Sequence, residues 1–236
     1  MSIALRTRTT IAPKNLSSKS KAQATKPKTK FRPRPWKIAL PFEWETLVIN
    51  FGSPEQKLLD DEFFKFCMLN QDLRIEMSKD GEIMIMMPTG GEGGNKSFKL
   101  TTRLGVWVEA DGTGVGFDSS TEFSLPNGAK RSPDFSWIRR ERWEALTNKQ
   151  REVFSPICPD FVVELRSRTD RLKHLKAKMD EYIENGARLG WLIDPKEKKV
   201  HIYRPNAEAE ILDNPKNLSG GSVLKGLKLD LAGILD

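Results

Sequence analysis

Between Asp160 and Asp194 the chain reads, without interruption, as an apolar strand, an amphipathic helix and a second apolar strand. Asp160 to Arg166 is built around Phe161, Val162, Val163 and Leu165, residue types that favour an extended, packed backbone. Over about 170 to 184, Leu172, Leu175, Met179, Tyr182 and Ile183 fall on one stripe of a helix, and Asn185-Gly186 supplies the stop. Arg188 to Ile193 returns as a strand closed by an Asp194-Pro195 turn, and Lys199 to Tyr203 begins a last set of short strands. Such a succession needs a sheet with helices packed against it.

The preceding residues extend the same architecture. Residues 60 to 69 predict a short helix ending at Asn70, with Asp60, Asp61 and Glu62 in its first turn. Leu73, Ile75 and Met77 alternate with Arg74 and Glu76, Asp80-Gly81 turns the chain, and Glu82 to Met87 returns until Pro88, which is a hairpin pattern. Gly90-Gly91-Glu92-Gly93-Gly94 reads as a flexible connection into a helix from about Asn95 to Ala110. Lys96-Ser97 after these glycines is not a phosphate loop, because that motif places Gly directly before Lys and Asn95 intervenes. Strands are expected at about 114 to 118, 121 to 125 and 134 to 138, with Pro126-Asn127-Gly128 turning between the last two and a helical excursion over about 141 to 151. The fold class is α/β (α+β), a mixed central sheet flanked by helices.

A length of 236 residues with 38% hydrophobic and 30% charged residues suits one globular domain with an appended tail. The division is expected at residues 1–36 and 37–236. The formal charge of +7 is concentrated in the first part: eleven basic residues and no acid precede Glu43, leaving 28 basic against 32 acidic residues in the remainder, a net of −4. The tail is rich in Lys, Ser, Thr and Pro and poor in large apolar groups, a composition that predicts disorder. It reads as a solvated extension, as a polycation holding nucleic acid through counterion release, or as a transit peptide. No apolar run approaches the roughly 18 residues of a membrane span, and no secretory signal follows the basic start. Cys67 and Cys158 make no disulfide framework and lack the spacing of a zinc site, so free thiols in a reducing, cytoplasmic compartment are expected. With only His174 and His201, both expected at the surface, any metal would be held by carboxylates, which suit Mg²⁺ or Mn²⁺.

Two carboxylates stand where neighbouring strands could present them together: Asp134, after Ser132-Pro133, and Glu164, inside the apolar strand. A charged Glu there is costly to bury unless it is paired or binds a cation. The competing reading turns it outward on a half-buried strand, sharing a face with Val162 and Arg166. Asp160 is less suited as a partner, because four residues of strand put it about 13 Å from Glu164, whereas an adjacent strand is only about 4.8 Å away. Asp160 is therefore expected to serve as the first residue of its strand.

Ser132-Pro133-Asp134, then Pro159-Asp160-Phe161-Val162-Val163-Glu164-Leu165-Arg166-Ser167, then Lys178 with Tyr182, and the run Asn185 to Pro195 together resemble the Uma-Two family of restriction-endonuclease-like proteins, within the PD-(D/E)XK nuclease superfamily. The likeness covers about Asp60 to the C-terminus and leaves the basic tail unmatched. It implies a restriction-endonuclease-like core in which Asp134 and Glu164 bind Mg²⁺ or Mn²⁺ to hydrolyse phosphodiester bonds. The lysine usual two residues beyond the glutamate is replaced by Arg166, which can stabilise phosphate charge but cannot act as a base. The resemblance offers Lys178 on the following helix as a migrated lysine, and the helical wheel puts it at the border of the apolar stripe. A further glutamate near the first core helix is also implied; Glu92 occupies that place, with Glu76 and Glu82 as alternatives.

A metal-dependent DNA endonuclease is thus expected, with a homodimer setting two sites across a duplex as the superfamily pattern. The alternative is an inactive nuclease fold that binds nucleic acid, favoured by Arg166 and by the acidic body.

Overall fold

The strand signals sort into two main sheets and a small one. In the computed structural model, residues 58–236 are described together with the backbone of the strand 46–49; the expected tail, 1–36, lies outside the described residues. In chain order the elements are β1 (Thr46–Ile49), α1 (Asp60–Leu69), β2 (Arg74–Met77), β3 (Ile83–Met86), α2 (Gly91–Asp111), β4 (Gly114–Asp118), β5 (Phe123–Ser124), β6 (Lys130–Arg131) and β7 (Phe135–Arg139). There follow α3 (Arg140–Glu144), α4 (Asn148–Glu152), β8 (Phe161–Leu165), α5 (Leu172–Glu184), β9 (Leu189–Asp194), β10 (Lys199–Tyr203), β11 (Glu210–Asp213), β12 (Asn217–Ser219) and β13 (Lys228–Asp230).

A six-stranded mixed sheet runs β11-β10-β9-β8-β7-β4. Its parallel pair is β8 with β9, in register Phe161↔Leu189 to Leu165↔Ile193, and α5 is the crossover that this pairing requires. Both faces of β8 are covered. Phe161 and Val163 pack with Trp191, Ile193 and the α2 residues Leu100, Leu104 and Val108, while Val162 packs with Leu192 and the α5 residues Met179 and Tyr182. The outward-facing reading of Glu164 therefore fails, because the face it shares with Val162 is the one α5 covers. Two glycines permit this closeness: a Cβ on Gly190 would overlap the Met179 methyl of α5, and one on Gly114 would overlap the Trp137 ring.

The second sheet, β1-β3-β2-β6-β5, is antiparallel. The Pro126-Asn127-Gly128 turn joins β5 to the two-residue β6, not to β7 as expected. The chain then leaves the small sheet through Ser132-Pro133-Asp134 and enters the large one at Phe135.

Two further expectations need correction. The Gly-rich connection is helical: α2 begins at Gly91, behind an extended Gly90, and a Cβ on Gly93 would overlap the Thr89 hydroxyl. The helix is held from outside itself, since Lys96 donates to the Asp236 carbonyl (2.8 Å) and Arg103 to the carbonyls of Asp230 (2.7 Å) and Ala232 (2.9 Å). His201 is buried in β10, where it pairs with Leu192 and Ile211 on the neighbouring strands; His174 is exposed as expected. Cys158 is buried and Cys67 half-buried, and burial pushes both thiols up to about 12. No helix among the described residues is long and apolar enough to cross a membrane.

Candidate active site

Antiparallel pairing of β7 and β8 runs Trp137↔Phe161, Ser136↔Val162, Phe135↔Val163. The next position along this register sets Asp134 opposite Glu164, so the two carboxylates emerge side by side at the end of the pair. Asp134 Oδ2 accepts a hydrogen bond from the Leu165 backbone N–H (2.8 Å), which ties the loop residue to the neighbouring strand.

Lys178 comes down from α5 onto the same spot. Its Nζ lies 2.8 Å from Glu164 Oε1 and 2.8 Å from Glu76 Oε1, bridging the two acids. Tyr182, one turn further along α5, donates its hydroxyl proton to Glu164 Oε1 (3.1 Å). The i, i+4 spacing of Lys178 and Tyr182 puts both polar tips over one end of β8 while the Tyr182 ring fills the core beneath.

Glu76 arrives from the small sheet. Ile75 and Met77 point into a core with Phe63 and Ile83, so strand alternation turns Glu76 the other way. There Oε1 also accepts from the Ser132 backbone N–H (2.9 Å), and Oε2 lies 3.3 Å from Arg131 Nη1. Arg131 is held in turn by Glu181 (Nε to Oε2, 2.6 Å). At the outer side, Arg74 Nη2 donates to the Ser132 carbonyl (2.9 Å) and approaches Asp134 Oδ1 (3.5 Å).

The electrostatics divide the acids. Burial pushes the Glu164 carboxyl up to about 7, against the pull of Lys178 and with added repulsion from Asp134 and Glu76. Burial acts on Glu76 in the same sense, but Lys178, Arg131 and the Ser132 N–H outweigh it and hold that carboxyl below its ordinary value. For Lys178 burial disfavours the charge, yet Glu164 and Glu76 prevail and raise the ammonium above its ordinary value. Lys178 is therefore a cation at neutral pH, while Glu164 sits where a small change in nearby charge decides its protonation.

Of the residues singled out from sequence, Asp134, Glu164 and Lys178 are brought together. Arg166 is not among them. Its guanidinium is committed to Asp194 Oδ2 (2.6 Å), with Glu197 at 3.7 Å and the Asp170 carbonyl at 3.2 Å, so it braces the ends of β8 and β9. Glu92 also stands apart, 87% exposed in the first turn of α2 and paired with Lys96 at 3.4 Å. The place expected for it is taken by Glu76. Asp160 is structural, as expected: its carboxylate accepts from the Arg139 N–H (2.9 Å) and pairs with Arg142 (2.9 Å). Arg74 and Arg131 were not singled out; their signal in the sequence is that each lies two residues from a site acid or beside the Ser132-Pro133-Asp134 tripeptide.

A recess of about 260 Å³ lined by Arg188, Leu189, Arg204 and residues 219–223 opens at the start of β9, the opposite end of the strand pair from Glu164. It contains none of these acids. Among the described residues no group of three or more acidic, His or Cys side chains forms a ready-made metal cage. The donor chemistry still suits a hard dication, since Mg²⁺ commonly takes one or two protein carboxylates and completes its shell with water and substrate phosphate. Burial raises the Glu164 carboxyl, and the neighbouring Asp134 and Glu76 raise it further, a repulsion that a bound cation would relieve.

A mixed sheet flanked by helices, with an Asp and a Glu brought together at the ends of adjacent strands and a mostly covered lysine beside them, is a restriction-endonuclease-like fold. The chain belongs to the Uma2 family, described as putative restriction endonucleases, whose family profile matches residues 60–232. It is similar in fold to a solved structure from Anabaena variabilis described as "a putative nuclease belonging to DUF820": TM-score 0.61, 21% identity, covering 75% of this chain and 97% of that one. No curated protein sequence matches it.

Proposed function

We propose that the protein is a Mg²⁺- or Mn²⁺-dependent endonuclease that hydrolyses DNA phosphodiester bonds. The observation that carries this reading is the Lys178 ammonium 2.8 Å from Glu164, beside the Asp134 that the strand register sets opposite. Asp134 and Glu164 would hold the divalent ion, which when bound polarises a phosphate oxygen and makes a coordinated water more acidic.

The chain's own groups do the rest. Lys178, kept charged by Glu164 and Glu76, is suited to donate hydrogen bonds to an attacking water and to the charge that develops on the phosphate, not to remove a proton. Glu76 aims that ammonium from the far side and is itself fixed by Ser132 and Arg131. Tyr182 holds Glu164 in its rotamer. The reading of an inactive nucleic-acid-binding fold drew on Arg166 standing where a lysine is usual; Lys178 at Glu164 favours the nuclease instead.

The test is cleavage of supercoiled plasmid in Mg²⁺, in Mn²⁺ and in chelator, with Glu164→Ala purified identically. Nicking that needs the metal and disappears in the variant is expected. Failure to cut supercoiled, linear or single-stranded DNA, or RNA, in either metal would overturn the proposal.

A further inference from the structure

The cations around the acid cluster are almost all spent. Lys178 is bound to Glu164 and Glu76, Arg131 to Glu76 and Glu181, Lys130 to Asp60, and Arg166 to Asp194 and Glu197. Arg74 differs. The bonds it makes to described residues use Nη2 alone, on the Ser132 carbonyl and Asp134, and its Nε–H is buried without a partner.

Its position differs as well. Side-chain exposure rises in order across the site: Glu76 4%, Glu164 5%, Lys178 13%, Asp134 19%, Arg74 38%. The cluster therefore opens towards solvent on the side of Asp134 and Arg74, and a substrate reaching Asp134 must pass the guanidinium. Strand alternation fixes this. Arg74 and Glu76 share the face of β2 opposite to Ile75 and Met77, so the residue nearest the open side lies two positions before the buried acid.

We propose that Arg74 binds a phosphate group of the nucleic-acid substrate at the mouth of the site and delivers it to Asp134 and Glu164. The inference rests on the nuclease reading and adds to it the residue that recognises the anion. A phosphodiester approaching the site meets the Asp134 carboxylate, with Glu76 and Glu164 behind it offset in part by Lys178 and Arg131, and a planar guanidinium whose Nη1 makes no bond to the described residues offsets that repulsion where the ligand arrives. The Ser132 carbonyl holds one arm of the fork, so the remaining donors are oriented before the substrate binds and lose little entropy on binding.

The experiment measures binding of a fluorescent 20-base-pair DNA duplex to the full chain in the Glu164→Gln background, across a salt series, with Arg74, Arg74→Gln and Arg74→Lys. Arg74→Gln keeps a donor for the Ser132 carbonyl and loses the charge, so the loop can stay in place. The expected result is about tenfold weaker binding for Arg74→Gln and a slope of log affinity against log salt shallower by about one, with Arg74→Lys retaining the slope. The difference in slope is read, because the basic residues before Glu43 add a salt-dependent term common to all three proteins. In the Glu164 enzyme the same change should raise KM more than it lowers kcat.

An unchanged slope and affinity in Arg74→Gln overturns the inference and leaves Arg74 as a brace for Ser132. A loss of affinity that Arg74→Lys shares with the slope intact in both also overturns it, since charge would then not be what binds. Absence of cutting by the unmodified enzyme bears on the nuclease reading alone, because the binding series reads Arg74 independently of cleavage.

Discussion

Glu122 offers a quantitative check on the electrostatics of the site's surroundings. It lies just before β5, is 7% exposed, and its Oε1 is buried without a hydrogen-bond partner. Burial and then the charge of Glu76 push its carboxyl up from 4.5 to about 9, against Lys130, Arg131 and Lys178. At pH 7 the folded protein therefore carries a neutral acid there, whereas the unfolded chain has released the proton. The folded state binds the proton more tightly, so this group contributes most below pH 4.5, and stability falls as pH rises towards 9. Each pH unit in that window costs about 1.4 kcal/mol, or at most about 3 kcal/mol between pH 4.5 and 7. Glu122→Gln has nearly the same shape and no proton to lose. In urea unfolding, its stability relative to the parent should be near zero at pH 4.5 and should grow to about 3 kcal/mol at pH 7, and in thermal unfolding at pH 7 its Tm should be higher by on the order of 10 °C. A difference that stays constant with pH, or a variant less stable at pH 7, would show that Glu122 is ionised and paired in the fold, and the argument would be wrong.

Removing the Glu76 carboxylate with Glu76→Gln should lower cleavage at least a hundredfold while Glu92→Ala leaves it within twofold; single-turnover rates distinguish them, and the opposite ranking would return the role to Glu92. Arg166→Ala strips the charged partner from Asp194, which is fully buried and keeps only the backbone N–H donors of Lys196 and Glu197, and should cost about 3 kcal/mol in chemical unfolding, with kcat of the folded fraction preserved. A large fall in kcat without loss of stability would put Arg166 back in the catalytic site. Gly114→Ala drives a methyl into the Trp137 ring and should destabilise the fold by about 1–3 kcal/mol, visible as a lower Tm; an unchanged Tm would mean that the β4–β7 edge can shift freely.

Long periodic segments were legible because their signals are local. α1, the β2–β3 hairpin and α5 follow from alternation or helical spacing within a single window, and their ends from Asp80-Gly81 and Asn185-Gly186. The two-residue β6 was not, since so short a strand has no period of its own and exists only through pairing with β2 and β5. The helical start of α2 ran against its glycines and is held by contacts with the C-terminal segment more than 120 residues away.

The site divides in the same way. Glu164 stood out because an acid in an apolar strand is costly in any fold, although alternation alone also allowed it to face outward, and Asp134 stood out as the acid that a neighbouring strand could bring beside it. The family resemblance pointed to Lys178, and its helix supplied the geometry. Nothing in the chain order says whether Glu76, Glu82 or Glu92 joins them, because that depends on β2 pairing with β6 and so bringing Glu76 onto Ser132, 56 residues away. Nor does spacing reveal that Arg166 turns towards Asp194 across the β8–β9 pair. Periodicity reports which side of its own element a residue occupies. Which distant charge meets it there is settled by the packing of whole elements, because an ion that packing buries is costly unless another element brings a partner to it.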